Sequence, residues 1–251
     1  MSEENNTSEN SENPSPVLYQ RLAPLLTDVH KDLKLVKNQN FSFVANVNAV
    51  PIVMQELPMA AKFYPIVFAS DAPGVMLAVM GIRNGENLFV DAEGKWREDT
   101  YIPAYIRRYP FFVARPGPDS DPVICIDEET SFLSPDGDLP LFKDGAPSEE
   151  LKRAMEFTRT VQGHIEATVE FGEMAGEKDL LEDRSVEFKT GDEVKANVNG
   201  FKAINRTKFD ELDGETLKDW LGKGWVDAVI LHLASGGNFD RLWQMALKRN
   251  G

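Results

Sequence analysis

Gly81–Phe112 reads G-I-R-N-G-E-N-L-F-V-D-A-E-G-K-W-R-E-D-T-Y-I-P-A-Y-I-R-R-Y-P-F-F. Asn87, Trp96, Tyr101, Pro103, Arg107, Arg108, Tyr109 and Pro110 crowd together here, at a density that generic solvated loops rarely carry. Asn87–Val90 and Lys95–Arg97 flank Asp91–Ala–Glu–Gly94, a hairpin signal in which Gly94 supplies the positive φ. Pro103 sits near the start of a helical turn or two over Ile102–Arg108, where its missing N–H costs nothing. Phe111–Ala114 and Val123–Ile126 are apolar runs that read as a strand pair around Arg115–Asp121.

Upstream, Tyr64–Ala69 (Y-P-I-V-F-A) and Val75–Ile82 read as buried strands joined by a turn at Asp71–Ala–Pro–Gly74. Val53–Lys62 looks helical, with Pro58 in its first turn. Phe41–Val50 is β-like, and Pro51 closes that element or marks an edge. Val17–Asn40 is an edge strand with a polar loop or a short helix; the alternation in Lys31–Leu35 favours extended backbone. Met1–Pro16 carries four Glu, four Asn and four Ser and no Lys or Arg. Such a segment buries too little surface to offset its ordering entropy, so a disordered acidic tail is expected at 1–16.

Downstream, Thr130–Pro147 is rich in Pro, Gly, Asp and Ser, the composition of a loop or a boundary. Ser148 caps a helix whose first turn holds Glu149 and Glu150, and helical spacing persists through Phe171. Val186–Phe188, Val194–Val198 and Phe201–Ile204 are separated by Thr190–Gly–Asp192 and Asn199–Gly200, which predicts a three-stranded meander over Ser185–Asn205. Gly214–Leu221 reads as a short helix ended by Gly222–Lys–Gly224. Val226–Leu233 fits either strand or helix. Asn238–Lys248 reads as a helix with Lys248 and Arg249 at its favourable end. The expected fold class is α+β: β-rich over the N-terminal two-thirds, then a long helix after residue 148, a small three-strand meander and C-terminal helices. A single domain over 17–251 is expected, with 130–147 open as an internal boundary.

The chain has 251 residues, enough for one large domain or two small ones. Its 41 acidic and 27 basic side chains give a formal net charge of −14. That balance argues against nucleic acid and against an anionic membrane surface as partners. The longest apolar run, Val75–Met80, is far short of the roughly 20 residues a membrane span needs, so no membrane insertion is expected. Cys125 is the sole cysteine, so no intramolecular disulfide forms, and it reads as a small buried hydrophobe. With no apolar leader in the tail, a soluble cytoplasmic protein is expected, with signal-less export as the alternative.

Three segments now stand out together: G-x-R-x-G-x-N-L-F-V-D-x-x-G-x-W, Y-I-P-A-x-I-R-R-Y-P-F, and C-I-D-E-E. With Y-P-I-V-F-A at Tyr64–Ala69, Gly200–Asn205, and L-H-L-A-S-G-G-N-F-D-R-L at Leu231–Leu242, the chain resembles the bacterial SapC family from about Tyr19 to Leu242. Gly237 departs from it, since a larger residue is usual there. The resemblance implies an association with a bacterial surface layer and its export locus, and with gene neighbourhoods of outer-membrane receptors and flavin-dependent halogenases. It brings no established catalytic residues. It is distinct from the transporter permease of the same name, which needs spanning helices. The expected function is a soluble accessory or binding protein of a bacterial surface-layer or outer-membrane uptake system, with a protein partner there. The alternative is an enzyme or small-ligand sensor.

Nucleotide-loop, zincin, C-x-x-C and G-x-S-x-G motifs are all missing from the sequence, so no catalytic residue, cofactor or metal is assigned. Asp119, Asp121, Asp127, Glu128 and Glu129 read as a solvated acidic face before a weak calcium site. The candidate binding residues fall in two groups. Arg107 and Arg108, with Asn87, Tyr101 and Tyr109, suit a small anionic ligand, because a guanidinium offers a planar fork to carboxylate or phosphate. The preferred alternative pairs one of the two arginines internally with Asp91, Asp127 or Glu128. His232, Ser235, Asn238 and Arg241 form a stripe at helical spacing, either a hydrogen-bonded seam or a site wall. A Ser235–His232 nucleophile pair lacks an orienting acid.

Overall fold

The computed structural model describes residues 16–37, 40–115, 117, 120–190 and 193–250. All but Pro16 of the expected acidic tail lies outside them, as do Asp119 and residues 191–192 of the expected Thr190–Gly–Asp192 turn.

The chain is α+β, and its centre is a five-stranded antiparallel sheet. In spatial order the strands are Leu181–Thr190, Glu193–Ile204, Ile66–Ala69, Met76–Val79 and Ala49–Pro51. The two middle hydrophobic runs are strands because they are short, apolar and bounded by the Asp71–Gly74 turn; Ile66 pairs with Ala78 and Phe68 with Met76. Pro51 ends the edge strand, where its missing donor costs no ladder bond. The β-like pattern at Phe41–Val47 is a correction. Ser42–Val44 is a 3-10 turn, with Val44 N–H donating to Phe41 O at 3.0 Å, and pairing begins only at Ala49.

The long hairpin departs from the expected meander. Asn199–Gly200 does not reverse the chain. Arg184 faces Phe201 and Val186 faces Val198, so Asn199 and Gly200 together oppose Ser185 alone. That is a β-bulge, and Gly200 takes the left-handed φ of 74° that it requires. A second irregularity lies at Lys195, between the pairs Phe188–Ala196 and Lys189–Val194. Glu193–Ile204 is thus one bent strand that carries the hairpin onto Ile66–Ala69.

A second antiparallel sheet orders Leu22–Pro24, Val123–Asp127 and Phe111–Ala114. The 130–147 stretch carries more order than a loop. Leu133–Ser134 and Leu139–Pro140 flank Lys34–Leu35, and Phe142–Lys143 pairs with Ala146–Pro147. Ser148 Oγ accepts from Leu151 N–H at 3.2 Å and starts the long helix Glu149–Glu177, about 43 Å at 1.5 Å per residue. The helix spans two hydrophobic clusters. Leu151 packs with Phe111, Val113, Ile124 and Ile126, while Phe171 and Ala175 belong to the main core. There Phe171 meets Phe68, Trp220 and Trp225 at centroid distances of 6.1, 6.0 and 5.8 Å.

The C-terminal helices are Arg206–Asp210, Gly214–Gly222, Trp225–Ser235 and Asn238–Asn250. Gly224 takes a φ of 72° and lets helix follow helix directly, which resolves Val226–Leu233 as helical. Phe239 and Trp243 stack against Phe201 and Phe188 of the hairpin. Among the described residues no helix is long and apolar enough to cross a membrane.

Candidate functional site

The Gly81–Phe112 block folds around Asn87, which is fully buried. Asn87 Nδ2 donates to Val44 O at 3.1 Å, and its Oδ1 accepts from Phe89 N–H at 2.9 Å. Asp91 Oδ1 accepts the N–H groups of Glu93 and Lys95, and Gly94, at φ 77°, turns the chain so that Val90 bridges Trp96. Asn87 is therefore a pin, spent on main chain.

The far end of the last helix is fastened to this pin. Arg249 donates from Nη1 to Asn87 O at 2.7 Å and from Nη2 to Val90 O at 2.6 Å. Between helix and block lies a cleft of about 680 Å³, lined among others by Glu86, Leu88, Asp91, Arg97, Lys248 and Arg249. Its volume is within the range of small-molecule sites. Arg97 and Lys248 are exposed, and among the described residues neither side chain makes a hydrogen bond or ion pair. Glu86 is half-buried, and its Oε2 accepts Ile82 N–H at 3.2 Å. The cleft thus offers unengaged cations in a chain of net charge −14. A guanidinium and an ammonium there suit a carboxylate or phosphate.

Arg107 and Arg108 diverge, as neighbours at the end of one helical turn do. Ala104–Arg107 is that turn, with Pro103 as its N-cap. Arg107 is exposed; its Nε donates to Ile102 O at 3.0 Å and its Nη2 to Tyr101 Oη at 3.0 Å, and it lies over the Phe157 ring. Tyr101 in turn donates to Glu56 Oε1 at 2.8 Å. Glu56 is buried, and it also accepts Ala104 N–H at 2.6 Å and Val53 N–H at 3.2 Å. Burial first, and the Glu56 charge second, push the Tyr101 phenol up to about 12. Sequence reasoning passed over Glu56, because an isolated Glu beside an apolar segment carries no signal until Tyr101 and Ala104 close on it.

Arg108 is 2% exposed. Its guanidinium carbon lies 4.5 Å from the Tyr105 ring centroid and 4.6 Å from that of Phe112. Among the described residues its Nε and Nη1 have no hydrogen-bond partner. The expected ion pair is a correction: among the described residues neither arginine is paired with a carboxylate. Asp127 accepts Tyr109 Oη at 3.0 Å and the N–H groups of Gln20 and Arg21 at 3.1 and 2.9 Å. Glu128 holds Arg21 at 2.6 Å and His30 at 3.3 Å. Asp91 is spent in its own turn. The carboxylates are taken by these other donors, and aromatic faces take their place around Arg108.

The His232 stripe is a seam of main-chain bonds. His232 Nε2 accepts Ile204 N–H at 3.1 Å, so the proton of the neutral ring sits on Nδ1. Ser235 Oγ donates to His232 O at 2.6 Å and accepts Ile66 N–H at 2.9 Å, which leaves no Ser–imidazole bond. Asn238 Nδ2 donates to Ala61 O and Tyr64 O at 2.8 and 3.0 Å, and Arg241 Nη1 to Lys62 O at 3.2 Å. Burial lowers the His232 pKa to about 4, against a smaller opposing contact with the Ile66 main chain. The seam and the Tyr101 group touch through Tyr64, whose hydroxyl donates to Tyr101 O and whose carbonyl accepts from Asn238. Tyr64 is fully buried, so the link is core. None of Asn87, Tyr101, Arg107, Arg108, Tyr109, His232, Ser235, Asn238 and Arg241 lines the 680 Å³ cleft. The sequence signal for that cleft was Arg97, inside the quoted block, and the basic end of the last helix.

Among the described residues no group of three or more His, Cys, Asp or Glu is placed to hold a metal ion. No curated protein and no solved structure matches the chain. A family model described as SapC matches residues 25–242, most of the chain and all of the Gly81–Phe112 block. The chain belongs to the SapC family.

Proposed function

We propose that this chain is an accessory binding protein of a bacterial surface-layer or outer-membrane uptake system, and that the cleft beside Arg97 and Lys248 holds a small carboxylate- or phosphate-bearing ligand. The observation that carries the ligand half is the unengaged pair Arg97 and Lys248, gathered in a cleft that the family block builds. The conspicuous polar side chains elsewhere support it by contrast: Asn87, Ser235, Asn238 and Arg249 are spent on main chain. The system it serves is taken from the family resemblance. A single cysteine suits a cytoplasmic residence.

Thermal unfolding with phosphate, succinate and citrate, against sodium chloride at matched ionic strength, tests the ligand half. A ligand at a hundredfold excess over its Kd adds about 2.7 kcal/mol to stability. Stabilisation by one of these anions, lost in Arg97→Ala/Lys248→Ala, is the expected result. Equal curves in all four salts overturn it. Affinity capture of the tagged chain from its native cells tests the system: envelope or uptake components should co-purify, and recovery of free chain alone under several lysis conditions counts against it.

A further inference from the structure

We infer that Arg108 is a concealed oxyanion site, gated by the short strap Pro16–Tyr19 that closes over it. The site is separate from the Arg97/Lys248 cleft. The first observation is the guanidinium itself: 2% exposed, lying over the Tyr105 and Phe112 rings and close to the Tyr19 and Tyr105 phenols, with Nε and Nη1 left without a hydrogen-bond partner among the described residues. Among the described residues no carboxylate meets this cation; burying a cation unpaired is costly, and cation–π contacts offset only part of that cost. Nε and Nη1 lie on different edges of the guanidinium, so a carboxylate or phosphate oxygen that enters supplies a charge-assisted partner to one of them and a counter-charge to the whole group.

The second observation is what closes the box. Tyr19 is 4% exposed and packs edge-on against Tyr105 and Phe112, at 6.2 and 5.0 Å between centroids. It enters from a tight turn in which Tyr19 N–H donates to Pro16 O at 3.0 Å. Leu18 within that turn has φ 83°, a left-handed conformation that a leucine rarely adopts. Two phenols hold the strap down. Tyr105 Oη donates to Val17 O at 2.7 Å, and Tyr19 Oη donates to Phe111 O at 2.8 Å. The next two residues, Gln20 and Arg21, are pinned through their N–H groups to Asp127. The strap therefore has a fixed hinge at Gln20–Arg21 and backbone strain just before it, and Tyr19, packed on Tyr105, Tyr109 and Phe112, is the side chain that must leave. When it lifts, Tyr105 loses Val17 as acceptor, and its hydroxyl is freed as a further donor near Arg108. The ligand class follows: a carboxylate or phosphate monoester small enough to reach between two rings.

Amide hydrogen exchange on the full chain reads the gate directly, with inorganic phosphate and succinate as probes and sodium chloride at matched ionic strength as control. Phosphate or succinate should speed exchange of the peptide spanning residues 16–22 several-fold. The response should vanish in Arg108→Met, which keeps the volume and loses the charge. It should persist in Arg97→Ala/Lys248→Ala, so that a failure of the cleft reading leaves this one standing. If Arg108→Met does not fold, Arg108→Lys, which lacks the planar fork, should show a weakened response. Strap exchange indifferent to both anions in the wild type overturns the inference, and so does a response that survives loss of the Arg108 charge.

Discussion

Arg249 donates to the main-chain oxygen of Asn87 at 2.7 Å, and so ties the end of the last helix to the pin of the family block. The same guanidinium reaches Val90 O. Residue 249 lies beyond the stretch 25–242 that the family model matches, yet it shapes one wall of the cleft.

Replacing that fork tests the wall. Hydrogen bonds involving a charged group contribute about 1.5–3 kcal/mol, more than neutral ones. Arg249→Ala should cost about 2 kcal/mol and lower Tm by roughly 4–8 °C, at 2–4 °C per kcal/mol for a chain of this size. Arg249→Lys should recover part of it, since an ammonium cannot span both carbonyls as a planar fork does. Thermal melts of the three proteins settle the order.

His232 sets an acid limit on stability. Its pKa of about 4 in the fold lies below the ordinary 6.5. Below pH 6.5 the unfolded chain takes up a proton that the folded chain refuses. The stabilisation is therefore complete above pH 6.5 and is lost progressively as pH falls toward 4. Two and a half pH units correspond to about 3 kcal/mol at most. Urea titrations at pH 7.5 and 4.5 should show the loss. His232→Gln, which keeps an acceptor near Ile204 N–H and cannot titrate in this range, should be less stable at pH 7.5 and flatter in pH dependence.

Arg108 separates charge from volume. Arg108→Ala removes two cation–π contacts and empties the space between the rings, at a cost of about 2–4 kcal/mol. Arg108→Met fills the space without a buried cation and should be near neutral or stabilising. Arg107→Ala, at an exposed position, should cost under about 1 kcal/mol. Denaturant midpoints that rank Met below Ala would reject this account of the box.

Glu56 is the buried acceptor that orders the Tyr101–Ala104 turn. Glu56→Ala leaves Tyr101 Oη and the N–H groups of Val53 and Ala104 without their partner, each costing about 1–3 kcal/mol if no water replaces it. Stability should fall by about 3 kcal/mol or more. Tyr101→Phe, which removes one donor and keeps the ring, should cost about 1 kcal/mol. Equilibrium unfolding of both variants checks the ratio.

The sequence by itself determined whatever has a local cause. Ser148 and its two glutamates start the long helix, Pro103 starts the Ala104–Arg107 turn, and apolar runs around Asp71–Gly74 make the central hairpin. The ordered spacing of Asn87, Trp96, Tyr101, Arg107 and Arg108 placed the chain in its family. Tertiary structure decided the rest. Asn199–Gly200 is a turn or a bulge on local evidence alone, because a glycine at positive φ serves both; the register of Leu181–Thr190 against Glu193–Ile204 chose the bulge. Phe41–Val47 alternates like a strand, but the local chain closes Phe41 O onto Val44 N–H before any ladder can form. Arg108 was legible as chemistry, whereas its surroundings were not. Tyr19 arrives from the start of the domain and Phe112 from the second sheet, and ring faces rather than a carboxylate meet the guanidinium. Arg97 and Lys248 become one cleft only when Arg249 bolts the last helix to Asn87, a contact between residues far apart in sequence that no local pattern encodes.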